Sequence, residues 1–289
     1  MSNTDTTTDH AYKASVRHEW TLAAPGWERW FDTTEAPDAG QAVTAVLLEQ
    51  AALDPGDRVL DVGAGYGEPG LSAAALVGET GSVTCLDISG DMLAFAERRA
   101  SAAGLTNVTF VEADIEHHPL EAGAFDSVIS RAALMYATDP LATLRRLTTA
   151  LRPGGRLSVA VWATPDRVAF SLPVRVMIEM GVIEPPPPGP GVFALGADGV
   201  LEDLVRSAGF VDVHAGTTHA IYSTPTVEAC TRWFRDVVPP ITELIAGQPA
   251  DAQEEVWARV TAAWAIHQDD SGCVRLPCTA VWAAGSRSS

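Results

Sequence analysis

The sequence predicts an α/β protein built on a mostly parallel sheet with helices on both faces. Two observations carry that expectation. From residue 58 onward, short β-branched apolar runs alternate with stretches of helical length. The first of those runs, Arg58 to Val62, feeds directly into a glycine loop, Gly63-Ala-Gly-Tyr-Gly67. Open α/β sheets bind ligands at the carboxyl ends of their strands, so this loop stands where a site is expected.

Strands are expected at 58–62, 82–87, 107–112, 125–130 and 155–162, and helices at 68–77, 90–103 and 139–151. Such alternation implies right-handed crossovers. Asp54-Pro-Gly-Asp57 is a turn that delivers the chain into the first strand. Upstream, 10–53 read as helical with breaks at Pro25-Gly26 and Pro37, after a polar stretch at 1–9 expected to be disordered. Downstream come a short helix and the stiff run Pro185 to Pro188 within 165–195, then a helix at 197–208 ended by Gly209. A strand at 210–222, two or three aromatic-rich helices within 225–270 and a last strand from Val274 to Ala283 complete the chain. The expected division is a helical lid (1–53), a binding core (54–164), a cap insertion (165–195), more core (196–224), a helical cap insertion (225–270) and a final core strand with its tail (271–289).

Composition narrows the partners. At 289 residues the chain is near the limit for one core. A net charge of −18 argues against nucleic acid and anionic membrane surfaces. Lys13 is the sole lysine, which argues against Schiff-base chemistry on a buried amine. Cys85, Cys230, Cys273 and Cys278 lack metal-type spacing and read as free thiols in a reducing compartment. The polar N-terminus has no basic or apolar leader region, and no apolar run reaches membrane-spanning length, so a cytoplasmic monomer or homodimer is expected. His117 and His118 are adjacent in a loop and point apart, so no metal is expected there. His18, His214, His219 and His267 are candidate general bases by their ordinary titration range. No Ser, His and Asp spacing suggests a hydrolase.

The glycine loop separates two nucleotide readings. A dinucleotide fold wants G-x-G-x-x-G directly after the strand, and from Gly63 the third glycine would fall on Glu68. The shifted match Gly65, Gly67 and Gly70 starts late and contains Pro69. D-x-G-x-G-x-G fits Asp61, Gly63, Gly65 and Gly67 without a shift. Asp87 closes the second strand and can accept both ribose hydroxyls of a nucleoside, although a dehydrogenase places an acid similarly. Three further stretches follow in order: Val108 to Glu116, Phe125-Asp-Ser-Val128 and Leu151-Arg-Pro-Gly-Gly155.

Together, over residues 58–162, these stretches resemble the class I S-adenosylmethionine-dependent methyltransferases. Gly65-Tyr-Gly-Glu-Pro69 and Val161-Trp162 resemble most the small-molecule enzymes related to the ubiquinone/menaquinone-biosynthesis methyltransferases. The resemblance implies a Rossmann-like, mostly parallel seven-stranded sheet, its last strand antiparallel, plus a helical cap. It implies S-adenosylmethionine as cofactor, with Gly63, Gly65 and Gly67 along the methionine moiety, Asp61 and Ala64 in the same cofactor-binding set and Asp87 on the ribose. Asp114 would accept the adenine amino group, Ala113 and Ile115 would supply backbone contacts, and Ile88 would cover one face of the base. Met92, Ser130 and Arg131 complete that cofactor set.

The implied activity is transfer of a methyl group to a carbon or oxygen of a small, largely apolar metabolite by in-line displacement. Many relatives carry histidine after strand four, in a sequence near V-L-H-H. This chain has Ala133-Leu-Met-Tyr136 there, so either Tyr136 acts as the acid–base or orienting group or no base is needed. Trp20, Trp27, Trp30, Trp162 and Trp233 are the expected pocket wall, with Tyr136 at its floor. The alternatives are a nicotinamide-dependent oxidoreductase, a binder of the same fold without transfer, and a protein of this fold that guides a cyclisation.

Overall fold

The computed structural model describes residues 3–31 and 40–289, with side chains for 9–31, 40–239 and 241–289. Two helices come first, α1 (Asn3–Phe31) and α2 (Gly40–Ala51). The alternating core follows as β1 (Arg58–Val62), α3 (Gly70–Val77), β2 (Ser82–Asp87), α4 (Gly90–Ala102), β3 (Val108–Glu112), β4 (Phe125–Arg131), α5 (Pro140–Ala150) and β5 (Leu151–Trp162). Then come α6 (Leu172–Glu179), α7 (Val200–Ser207), β6 (Phe210–Thr224), α8 (Val227–Val237), α9 (Pro239–Ala246), α10 (Ala250–Trp264) and β7 (Val274–Arg287).

The strands form one seven-stranded sheet in the order β3-β2-β1-β4-β5-β7-β6. The pairs among β1 to β5 are parallel, whereas β7 runs antiparallel to both β5 and β6. The expected sheet is therefore present. A dinucleotide-binding sheet is parallel across its strands, and the antiparallel β7 wedged between β5 and β6 departs from it.

Side-chain alternation explains the layering. Val59 and Val83 join α3 residues Ala73, Ala74 and Val77 in one apolar cluster. Leu60, Val62 and Leu86 join α5 residues Leu144 and Leu147 in another. Neighbouring residues of a strand face opposite ways, so α3 and α5 cover opposite faces. Caps fix the helix starts where the site will form. Ser89 Oγ accepts from Met92 N to open α4, and Asp139 accepts from Ala142 N to open α5 ahead of Pro140.

The N-terminal region departs from expectation. The helix α1 begins at Asn3, inside the stretch expected to be disordered, and runs through Pro25 without a break. A proline inside a helix costs about 3 kcal/mol, and tertiary contacts of α1 offset it. Gly26 lets the α8 backbone come close, since a Cβ there would stand 2.0 Å from the Asp236 carbonyl oxygen. Asp236 Oδ2 in turn accepts from Arg29 Nη1 at 2.8 Å and from Trp30 Nε1 at 2.7 Å. Gly26 thus serves helix packing and not a turn. The other expected break, Pro37, lies outside the described residues. Among those described, no helix is long and apolar enough to cross a membrane.

Candidate active site

A cavity of about 490 Å³ lies over the carboxyl ends of β1, β2, β4 and β5, with α1 along one wall. The loop after β1 forms its base. Gly63 (φ +71°) and Gly65 (φ +51°) both hold the left-handed conformation that side chains resist. Their surroundings differ. A Cβ on Gly63 would meet the Ala133 Cβ at 2.1 Å, whereas one on Gly65 would meet only Met92 Cε, at 3.4 Å. Gly63 is thus demanded by packing against the loop after β4, and Gly65 by its backbone conformation. Both line the cavity together with Ala64. Gly67 does not: its place is against Leu71 and Ala96, where a Cβ would come within 2.8 Å and 3.2 Å of their side chains.

Asp87 ties this loop to the next. Its Oδ2 accepts from Gly65 N and its Oδ1 from Ser89 N, each at 2.8 Å. Burial raises its pKa, against these N–H donors, which favour the carboxylate. A carboxylate oxygen has two lone pairs, so each oxygen can still accept from a ligand. Ile88 and Met92 continue the wall, and Ala113, Asp114 and Ile115 extend it beyond β3.

Three expected cofactor residues are not on that wall. Asp61 faces α3, opposite to Leu60 and Val62, and its Oδ2 accepts from Gly70 N at 2.8 Å. Its Oδ1 is buried without a partner among the described residues. Burial pushes its carboxyl up to about 7, while Arg131 and the Gly70 N–H pull the other way. Ser130 Oγ donates to the Val62 carbonyl at 2.9 Å and holds β4 to β1. Gly67 is the third. These residues shape the loop from behind it.

Arg131 does line the cavity. Its Nη1 donates to Gly40 O and Thr44 Oγ1 at 3.0 and 2.8 Å, and its Nη2 to the Tyr66 hydroxyl at 2.6 Å. Among the described residues no carboxylate stands at ion-pair distance from it. Tyr66 stacks on Trp27 of α1, with centroids 5.4 Å apart at 15°. Trp27 Nε1 is a buried donor with no partner among the described residues.

The opposite end is aromatic. Trp162 packs edge-on against Phe170 at 5.2 Å, and Tyr222 lies 5.3 Å from Trp233 and 5.9 Å from Phe170. Tyr136, on a 3₁₀ turn after β4, meets Trp20 edge-on at 6.1 Å. Burial raises the pKa of both Tyr136 and Tyr222 well above the ordinary phenol range, so both hydroxyls are neutral. Trp20, Trp27, Trp162, Trp233 and Tyr136 line the cavity as expected. Trp30 does not, because Asp236 draws its indole N–H toward α8. None of the candidate histidines lines it either, and His214 and His219 bond to Gln50 and Thr279 instead.

Sequence reasoning passed over Lys13, Glu19, Tyr66, Phe170 and Tyr222 as site residues, all of them on the cavity wall. One signal was available for Tyr66, which stands inside the glycine loop itself. The others converge from remote segments and have no local signature.

Comparison with known proteins adds an independent line. Residues 53–170 match the family model of a methyltransferase domain. The chain carries a class I S-adenosylmethionine-dependent methyltransferase domain. The ubiquinone/menaquinone biosynthesis C-methyltransferase UbiE of Pseudomonas fluorescens is 34% identical over 125 residues, which cover 43% of this chain and 49% of that protein. The chain thus spans about half the length of this curated relative. The [4+2]-cyclase SpnF superposes with a TM-score of 0.59 at 19% identity, covering 96% of this chain and 97% of SpnF. Haemonchus contortus phosphoethanolamine N-methyltransferase 2, solved with phosphomonomethylethanolamine and S-adenosylhomocysteine, superposes with a TM-score of 0.57 at 20% identity, covering 92% of this chain and 57% of that one. These two likenesses are of fold.

S-adenosylmethionine is the cofactor of this domain class, and the residues present fit it. The wall offers a carboxylate at the end of β2 for hydroxyls, and a second beyond β3 for an amino group. Arg131, a cation without a carboxylate partner among the described residues, matches the carboxylate of an amino-acid moiety. Trp27 Nε1 is a buried donor on the same wall with no partner among the described residues.

Proposed function

We propose that the protein transfers a methyl group from S-adenosylmethionine to a carbon or oxygen of a small, largely apolar metabolite. The observation that carries this reading is the two-ended cavity. Backbone, Asp87 and Asp114 line one end, and Trp162, Phe170, Tyr222 and Trp233 line the other. When bound, the sulfonium supplies the electrophilic methyl group, so the chain's own task is to bind, orient and exclude water.

In this reading Gly63, Ala64, Gly65 and Arg131 hold the methionine moiety. Asp87 holds the ribose, while Ile88, Met92, Ala113, Asp114 and Ile115 hold the base. The aromatic end orients a planar apolar acceptor, with the neutral Tyr136 and Tyr222 hydroxyls as donors to an acceptor oxygen. Tyr136 is accordingly an orienting group, because its burial opposes the phenolate that a general base would need. The lid α1 and the helices of 165–195 and 225–270 form the cap that keeps water out.

The test is transfer of a labelled methyl group from S-adenosylmethionine to a panel of apolar hydroxylated aromatics and polyenes. Labelled product that forms about tenfold more slowly in a Trp162→Leu variant, while S-adenosylhomocysteine still binds, is the expected result. Binding of S-adenosylhomocysteine with no transfer to any member would favour a second reading. There the cavity folds a flexible acceptor toward cyclisation, the reaction class for which the [4+2]-cyclase SpnF is named. The absence of histidine from the described cavity wall, and the neutral tyrosines, favour this as the alternative.

A further inference from the structure

We infer that Lys13, the sole lysine of the chain, is a positioning residue that couples the docking of α1 to recognition of the adenine amino group. The inference rests on the cofactor reading given above and adds a residue and a coupling to it.

The geometry is a convergence of two loops, those after β3 and β4, on one ammonium of α1. Lys13 Nζ stands 3.5 Å from Asp114 Oδ1, ion-pairs closely with Glu116 Oε2, and donates to the Tyr136 carbonyl at 3.2 Å. The pair is well shielded, with 15% of the Lys13 side chain and 6% of the Glu116 side chain exposed. Glu116 is itself anchored, accepting from Thr138 N, Thr138 Oγ1 and Asp139 N at 2.9–3.0 Å. Burial pushes the Glu116 pKa up, but Lys13 and these backbone donors outweigh it and the net shift is downward. The Glu116 carboxylate is therefore a fixed anion that holds the ammonium in place.

Asp114 is the acid that the cofactor needs. Its Oδ1 is occupied on two sides, by Glu116 N at 3.0 Å and by the Lys13 charge. That arrangement orients the carboxylate and leaves Oδ2 to accept an exocyclic amine. Lys13, Asp114 and Tyr136 all line the cavity, so the α1 contact sits at its edge and not on a remote surface. Without Lys13, the two carboxylates of Asp114 and Glu116 would face each other with no cation between them, and α1 would lose its shielded ion pair with the loop after β3, keeping the ring contacts His10–His117 and Trp20–Tyr136 there. Arg17, one turn along α1, reaches Glu112 only at 3.6 Å through half-exposed side chains, so it cannot replace this tie.

Two measurements test the inference. The first compares binding of S-adenosylhomocysteine and S-inosylhomocysteine, which lacks the amino group, to wild type, Lys13→Met and Lys13→Arg. The expected result for Lys13→Met is about a tenfold loss of affinity for the adenosyl ligand and little change for the inosyl one, so that the preference collapses. Lys13→Arg should restore most of it. Equal losses for both ligands would mean that Lys13 only packs the lid and would overturn the inference. Wild type that binds neither ligand would instead sink the cofactor reading.

The second measurement needs no variant. Amine acylation of the wild-type protein has one lysine to report on, with the terminal amine as internal reference. S-adenosylhomocysteine should slow acylation of Lys13 by about tenfold and S-inosylhomocysteine by much less. Equal protection by both, or none by either bound ligand, would overturn the coupling.

Discussion

The two ends of the cavity are built from different material. The proposed nucleoside end uses backbone atoms and short acids at strand ends, contributed by residues 63–131 of a continuous alternating core. The proposed acceptor end uses large side chains from separate segments: Trp162 at the end of β5, Phe170, Tyr222 of β6 and Trp233 of α8. Positions in the first set are fixed by the sheet, and any added atom meets backbone or a buried neighbour. Those in the second are fixed by aromatic packing, where one ring can yield to another. A chain can therefore keep its cofactor and change its acceptor by altering the second set alone.

The largest expected effect breaks the first end. Gly65→Val places a β-branched residue at φ +51° and sends its side chain against Met92. Left-handed backbone costs such a residue about 1–2 kcal/mol, and the added methyl groups occupy the cofactor's approach. Calorimetry should record at least about a hundredfold loss of S-adenosylhomocysteine affinity. Affinity within about threefold of wild type would mean that the loop is not a contact surface.

Asp87→Ala comes next. It removes the proposed acceptor for the ribose hydroxyls and also the one that holds Gly65 N and Ser89 N. Hydrogen bonds to charged groups contribute about 1.5–3 kcal/mol, so affinity should fall about tenfold or more. Trp162→Leu is the counterpart at the other end. It should lower kcat/KM for the acceptor by about tenfold through lost apolar contact, with S-adenosylhomocysteine affinity within about twofold. A variant that loses cofactor affinity instead would show that the two ends are not separable.

This contrast also explains what could be read from the chain. The glycine loop, Asp87 and Asp114 depend on local spacing around strand ends, so a single sequence carries them. Lys13 and Tyr136 are 123 residues apart, and no local pattern brings them together. Motif membership also mixes roles. Asp61 and Ser130 belong to recognisable stretches, yet strand alternation turns Asp61 away from the side taken by Leu60 and Val62. That alternation was legible and would have separated Asp61 from the ligand set. Trp30 illustrates the opposite limit. Helical spacing puts it near Trp27, but only the three-dimensional placement of Asp236 decides where its indole points. Pro25 misled because local propensity was outweighed by the fit of Gly26 against α8.

Asp61 sharpens the comparison at its smallest scale, because it is a motif residue expected to act on stability and not on ligand affinity. Its carboxyl is buried, with Gly70 N as donor to one oxygen and, among the described residues, no partner for the other. Burial raises its pKa from 3.8 to about 7. Between those values the folded chain holds a proton that the unfolded chain has released, so the Asp61 contribution to stability falls as pH rises from about 4 to about 7 and is level above that. Asn at this position keeps a carbonyl oxygen for Gly70 N and cannot titrate. The stability of wild type relative to Asp61→Asn should therefore decline steadily across that interval, read as the difference in urea midpoints at matched pH. Other titrating groups cancel in the difference. A flat difference would mean that Asp61 is already ionised in the fold, and a rising one that Arg131 holds it as an ion pair. S-adenosylhomocysteine affinity, measured at pH 7.5 on the same two proteins, should differ by less than about threefold, because Asp61 stands behind the loop and Gly65 in front of it.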